Sequence, residues 1–390
     1  MARVRMRDVA EHAGVSVRTV SNVVSGYAHV SEATRARVQR SLDELGYKMD
    51  YLARGLRSGR TGFVALAVPF VVEPYFAALA QAVIQAAARR GTTVLVESTG
   101  GDPEVERRIL AGGLTNVADG VLFSALTLPA TDAPATGPDF PLVMLGEHNV
   151  GDHLPRVGID NVAAARAAVE HLLAQGCQRI VALGRNGSEN GRQRAEGYQQ
   201  ALSAAGVRRV NWLVEPVDDW TREHGYTTTL RLLEGSGPLP DAIFAFNDAL
   251  AVGALRALDA SGVRVPDEVA VVGVDDIPEC AYTHPPLTSI APDLDAIAER
   301  SLSLLDAQIR SNANGNGNGT GNGNSGAAAE TAAPATTGAA SEPAPGPATE
   351  HSGADTESDA EGAAQWSGAS ASTPFRLVVR ESSRRTGPAK

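Results

Sequence analysis

The sequence predicts an all-α helix-turn-helix head followed by an α/β body built on parallel sheets. Two observations carry that reading. Residues 6–24 spell two short helices about one glycine. From residue 61, short apolar runs alternate with amphipathic segments, first in one series and then in a second, similar one. The 390 residues exceed a single ordinary domain, and a 43% hydrophobic composition is enough to bury a core.

In the head, Gly14 supplies the turn and Ser16 is a good N-cap for the second helix. Ala10, four residues before Gly14, lets the first helix approach closely, while Val9, Val15, Val20 and Val24 supply the buried side. A second helix entering the major groove with its N-terminal end leading presents Val17, Arg18 and Asn22 to base edges, with Thr19 and Ser21 beside them and His29 beyond the helix. Arg18 suits guanine, Asn22 suits adenine and Val17 suits a thymine methyl. The same residues also fit a plain helical hairpin with solvated Arg and Asn, and His29, like His12 and His224, also fits a solvated or core histidine. Ser31 caps a third helix with Val38, Leu42 and Leu45 on one face, closed by Gly46. Residues 1–60 hold eleven Lys and Arg against six Asp and Glu, within a chain of net charge −11. A basic head on an acidic body favours phosphate contact by the head alone.

The motifs Asp8-Val9-Ala10, Ala13-Gly14-Val15-Ser16, Thr19-Val20-Ser21 and Val30-Ser31-Glu32 with Thr34-Arg35 resemble the head of the lactose-repressor/galactose-repressor (LacI/GalR) family. Gly46-Tyr47 and Ala53-Arg54-Gly55-Leu56 resemble that family's hinge helix. The resemblance implies that Leu56 wedges into the minor groove, unstacking a base step to kink the duplex, with Ala53 at the same DNA contact and Arg54 and Arg57 near phosphates. Two departures stand out. Met49-Asp50 replaces the usual Pro-Asn, although Asp50 still caps a helix from Tyr51, and Asn22 stands where relatives often have Arg.

The body reads as strand 63–68, helix 75–90, strand 93–96, helix 103–111, strand 120–123 and strand 142–145. The second series is helix 161–175, strand 179–183, helix 192–205, a strand near 212–215, helix 222–234, strand 242–246, helix 248–261 and strand 269–274. This arrangement resembles the family's effector-binding region, a periplasmic-binding-protein-like (type I) α/β domain of two doubly wound parallel-sheet lobes with a ligand cleft between them. Ligands in such sheets bind at the carboxyl ends of the strands. Arg194, Asn247 and Asp275 match positions at which family members hydrogen-bond ligand hydroxyls, and Trp220 falls where relatives place a stacking aromatic. Tyr75 and Phe76 fit core and cleft equally. Asp248 also reads as a helix cap, and Arg194 as a surface cation beside Glu196. The set suits a polyol, with an aromatic against its C–H face, and also suits a nucleoside.

His284-Pro285-Pro286-Leu287-Thr288-Ser289-Ile290 resembles the family's return to the first lobe, followed by a helix over 294–309. Its stripe of Leu294, Ile297, Leu302 and Leu305 is expected at a dimer face, although packing within the lobe gives the same stripe. Residues 311–373, Asn-Gly repeats and then Ala, Thr, Pro, Gly and Ser, are expected to be a disordered insert. Phe375–Ser383 resembles the family's closing strand. The expected organisation is a head over 1–46, hinge and linker over 47–60, effector-binding domain over 61–310, the insert, and closing strand and tail over 374–390.

Two isolated cysteines, Cys177 and Cys280, point to buried structural thiols in a reducing cytosol. No signal-peptide pattern and no 18-residue apolar run is present, so a soluble cytoplasmic protein is expected. No phosphate-cradling GxxxxGK[ST], catalytic triad spacing or metal-ligand cluster can be singled out, so no enzyme activity, cofactor or metal is expected. The absence of a leucine heptad in the tail gives no support for a four-chain assembly. The resemblance implies a ligand-responsive transcriptional repressor that binds a pseudo-palindromic double-stranded DNA operator as a homodimer, with a sugar or related effector. A nucleoside-responsive regulator and a sugar-binding protein without gene control are the alternatives.

Overall fold

The computed structural model describes residues 4–24, 27, 29–47, 60–132, 138–146, 154–207, 213–235, 237–315 and 370–385. The chain divides into two compact units, Met1–Phe63 and Val64–Lys390.

In the first unit, α1 (Met6–Ala13), α2 (Val17–Val24) and α3 (Glu32–Glu44) enclose a core of Val9, Ala10, Ala13, Val20, Val23 and Val38. Gly14 takes φ 62°, a left-handed conformation that costs a glycine little, and ends α1. The Ser16 cap forms as expected, with Thr19 N–H donating to Ser16 Oγ at 3.0 Å. Ser31 likewise accepts from Thr34 N–H.

The second unit holds two six-stranded sheets. The first contains β1 (Phe63–Val68), β2 (Thr93–Ser98), β3 (Val121–Phe123), β4 (Leu142–Leu145), β5 (Arg156–Ile159) and β11 (Ser370–Thr373) in the order β2-β1-β3-β4-β5-β11. The second contains β6 (Ile180–Arg185), β7 (Leu213–Pro216), β8 (Ala242–Ala245), β9 (Ala270–Val274), β10 (Thr288–Pro292) and β12 (Phe375–Val378) in the order β7-β6-β8-β9-β10-β12. Strands β7 to β10 run parallel, and β12 closes its edge antiparallel, with Ser289 opposite Val378. Both orders reverse direction beside their first strand, between β1 and β3 and between β6 and β8, and such a switch point opens a crevice at the carboxyl ends.

Helices α4 (Pro74–Arg89) and α5 (Pro103–Leu110) serve the first sheet; α6 (Asn161–Ala174), α7 (Glu189–Ala204), α8 (Arg222–Glu234) and α9 (Asp248–Ala260) serve the second. Helix α10 (Leu294–Gly315) returns from β10 to pack on α4 and on β3, β4 and β5. The chain passes between lobes three times, from β5 into α6, from β10 into α10, and from β11 into β12. Asp293 N–H donates to Pro374 O at 3.0 Å, joining the last two passages.

Several expectations are corrected. Ile297, Leu302 and Leu305 are 2%, 1% and 0% exposed and belong to the main core, with Leu294 packed against it. The stripe is therefore spent inside its own lobe rather than on a dimer face, because α10 must cover the first sheet. The helix runs to Gly315 and β11 begins at Ser370, so both ends of the stretch read as insert carry regular structure; residues 316–369 lie outside the described ones. Helix α7 begins at Glu189, three residues before its expected start, because Ser188 caps it by accepting from Gly191 N–H at 3.1 Å. Cys177 and Cys280 are buried free thiols, as expected, and burial pushes the Cys177 thiol up to about 11.

Candidate functional site

On the head, Val20 and Val23 point into the core, so the opposite face of α2 carries Val17, 40% exposed, with Arg18 exposed and Ser21 and Asn22 half-buried. Thr19 is half-buried and its hydroxyl lies 2.8 Å from Ser16 Oγ, which ties it to the cap. His29 is exposed and packs edge-on against Tyr27 at 5.4 Å, and Arg35 Nη2 donates to Tyr27 O at 2.8 Å. His12 is structural: Nδ1 lies 3.1 Å from Ser41 Oγ and Nε2 lies 3.6 Å from Glu44, bracing α1 on α3. Ala53, Arg54 and Leu56 lie outside the described residues.

In the second unit, three expected residues converge at the carboxyl ends of β6, β7 and β8. Arg194, on α7, is 5% exposed. Its Nε donates to Asn161 Oδ1 at 2.7 Å, its Nη1 donates to Phe246 O, and its Cζ lies 5.0 Å from the centroid of Trp220. Trp220 is held in turn, with Nε1 donating to Gly184 O at 2.6 Å and its ring edge-on to Phe246 at 6.1 Å. Asn247 Nδ2 donates to Trp220 O at 3.3 Å, and its Oδ1 caps α9 by accepting from Leu250 N–H at 2.9 Å. A guanidinium over an aromatic face, bonded on both sides, is a rigid platform. The surface alternative for Arg194 does not hold, because Glu196 pairs with Arg192 at 3.2 Å instead. The cap of α9 is Asn247, so Asp248 is free for another task.

Asp275 stands at the end of β9, the strand beside β8. It adopts φ 117° and Asp276 φ 51°, and Asp275 N–H donates to Ile290 O at 2.8 Å. Tyr75 and Phe76 open α4 in the other lobe, edge-on to each other at 5.2 Å, half-buried and packed against the core. The structure thus gathers Arg194, Trp220 and Asn247, sets Asp275 one strand further along, and leaves Tyr75 and Phe76 in the opposite lobe.

Two features were not legible as site residues. Asn161 is 1% exposed, and its Nδ2 is buried without a hydrogen-bond partner among the described residues while its Oδ1 orients Arg194. Its only local signal is its place behind Asp160, the cap of α6. Glu106 is fully buried on α5 and accepts from the backbone N–H groups of Leu126, Thr127 and Leu128 at 2.9, 3.0 and 3.1 Å, fixing the loop after β3. That loop and the one after β1 expose Leu126 and Phe70, an apolar counterpart to the polar loops of the second sheet.

A helix-turn-helix unit on a two-lobed, periplasmic-binding-protein-like body defines a DNA-binding transcriptional regulator. Residues 5–50 match the family model described as bacterial regulatory proteins, lacI family, and residues 169–320 match a periplasmic binding protein-like domain. The ribose operon repressor of Halalkalibacterium halodurans is 35% identical over 301 residues, covering 76% of this chain and 88% of that one. The lac repressor dimer bound to operator and the anti-inducer ONPF aligns with TM-score 0.69 at 28% identity, covering 80% of this chain and 94% of that one. The regulator CelR in complex with cellobiose aligns with TM-score 0.61 at 28% identity, covering 97% and 100%. The chain belongs to the lacI family of bacterial regulatory proteins. Among the described residues no helix is long and apolar enough to cross a membrane.

Proposed function

We propose that the chain is a cytoplasmic repressor of genes for sugar uptake or breakdown, without catalytic activity. It binds a pseudo-palindromic operator as a homodimer and changes its grip when a sugar enters the cleft between the lobes. The observation that carries this reading is the platform of Arg194, Trp220 and Asn247 at the switch-point crevice, with Asp275 alongside. It offers donors, acceptors and an aromatic surface suited to a polyol. The likeness to a ribose operon repressor and to a cellobiose-bound regulator supports the same ligand class.

In this reading Val17, Arg18, Thr19, Ser21 and Asn22 face the major groove, His29 flanks it, Ala53 and Leu56 serve the minor groove, and Arg54 lies near phosphates. Effector and operator are linked through a two-state equilibrium, so each shifts the affinity of the other. The test is the thermal unfolding midpoint across D-ribose, cellobiose, other sugars, sugar phosphates and nucleosides. A ligand at a hundred times its Kd adds about 2.7 kcal/mol. A sugar-induced shift that Asp275→Ala abolishes supports the cleft assignment, whereas a response confined to nucleosides would replace the sugar with that class. Leu56→Ala is expected to weaken operator binding and reduce DNA bending.

A further inference from the structure

A buried carboxylate lies beneath the loop that carries Asp275. Asp248, in the first turn of α9 and one residue from Asn247, is fully buried. Its Oδ2 accepts from Ile277 N–H at 3.0 Å and from Cys280 Sγ at 3.1 Å, and its Oδ1 accepts from Ser289 Oγ at 2.7 Å. Ser289 Oγ in turn accepts from Asp276 N–H at 3.0 Å, while Arg380 Nη2 approaches Asp276 Oδ1 at 2.7 Å from the closing segment. The fold makes room for this carboxylate: a Cβ on Gly273 would stand 2.1 Å from Asp248 Oδ1.

Two consecutive non-glycine residues with positive φ persist only where their surroundings over-determine them. The donors of the next two amides, Asp276 and Ile277, both end on the Asp248 and Ser289 pair. A carboxylate this deep is tolerated because it is so fully hydrogen-bonded. Its partners lie 29 to 41 residues away in sequence, so the group exists to join distant elements rather than to cap its own helix.

We propose that Asp248 is a positioning residue of the effector site: through Ile277 and Ser289 it sets the Asp275 loop against Asn247 without itself touching the effector. This rests on the reading that Asn247 and Asp275 contact the effector. It predicts that the two act as one unit, so that loosening the Asp248 link costs the affinity that Asp275 provides and no more.

The test uses the full chain at pH 8, with Asp248→Asn and, because a buried substitution can impair folding, Ser289→Ala as a second variant. Amide hydrogen exchange at Asp276 and Ile277 is expected to accelerate at least tenfold in both, while amides of β6 and β8 keep their protection. Unchanged loop exchange, or equal loss of protection throughout, would overturn the proposal. D-ribose and cellobiose are then titrated into wild type, Ser289→Ala, Asp275→Asn and the double variant. The expected result is a tenfold or larger weakening by Ser289→Ala that disappears in the Asp275→Asn background. An additive penalty would overturn the positioning role. If neither sugar binds wild type, the sugar reading fails, and the exchange result alone decides the role of Asp248.

Discussion

Arg222, in the first turn of α8, reaches across the cleft to Glu73 at the cap of α4, with Nη1 3.7 Å from Oε2, while its Nη2 lies 3.4 Å from Glu279 in its own lobe. Both side chains of the interlobe pair are more than a third exposed, so the pair contributes at most about 1 kcal/mol to folding. Its leverage is on the lobe angle instead. Glu73→Gln should leave the unfolding midpoint within roughly 2–4 °C of wild type while widening the interlobe distance measured by double electron–electron resonance. Raising salt should widen the distance in wild type and leave the variant unmoved.

The main chain at Arg222 is held in place by contact with α9. A Cβ on Gly253 would stand 2.1 Å from Arg222 O, and one on Gly225 would stand 2.2 Å from Leu250 O, so the two helices cross with backbone against backbone. Gly253→Ala is expected to cost about 1–3 kcal/mol or more in urea unfolding, since neither backbone can yield as a side chain would. An unchanged midpoint would show that the crossing relaxes freely.

Asp248 also gives the fold a pH dependence. Burial pushes its carboxyl up from 3.8 to about 7, against the lowering effect of its bonds from Ser289, Ile277 and Cys280 and with a small raising effect of Asp276. A raised carboxyl pKa means that the folded state holds the proton more tightly than the unfolded chain. Its contribution is therefore present at low pH and is lost as pH rises from about 4 through about 7. The stability of wild type minus that of Asp248→Asn should fall across this window and level off above it. A rise instead would show that the three donors outweigh desolvation.

In the head, Ser16→Ala removes the cap of α2 and should cost about 0.5–2 kcal/mol. Arg18→Ala should cost operator binding about 1–3 kcal/mol in fluorescence anisotropy without changing the effector-induced midpoint shift. A loss of effector response in Arg18→Ala would contradict its assignment to DNA alone.

Much of the fold was readable because its signals are local. Strand β1 is six apolar residues, Phe63–Val68, and α8 covers Arg222–Glu234, the range its sequence pattern predicts. Strand β11 is Ser-Ala-Ser-Thr, without a large apolar side chain; pairing with β5, more than two hundred residues away, makes it a strand. The four residues of β5, Arg-Val-Gly-Ile, were equally silent. In the site, Arg194, Trp220 and Asn247 were visible through motif resemblance. The tasks of Asn161, Glu106 and Asp248 were not, because each is defined by partners that only the folded chain brings near.

Strands β11 and β12 are consecutive in sequence, separated only by Pro374, yet each completes a different sheet. A frameshift within residues 316–369 would therefore spare the coding of the head and strip an edge from both lobes at once, exposing β5 and β10 to stray pairing. One change in the reading frame would thus leave the head's residues as they are and leave both halves of the body unfinished.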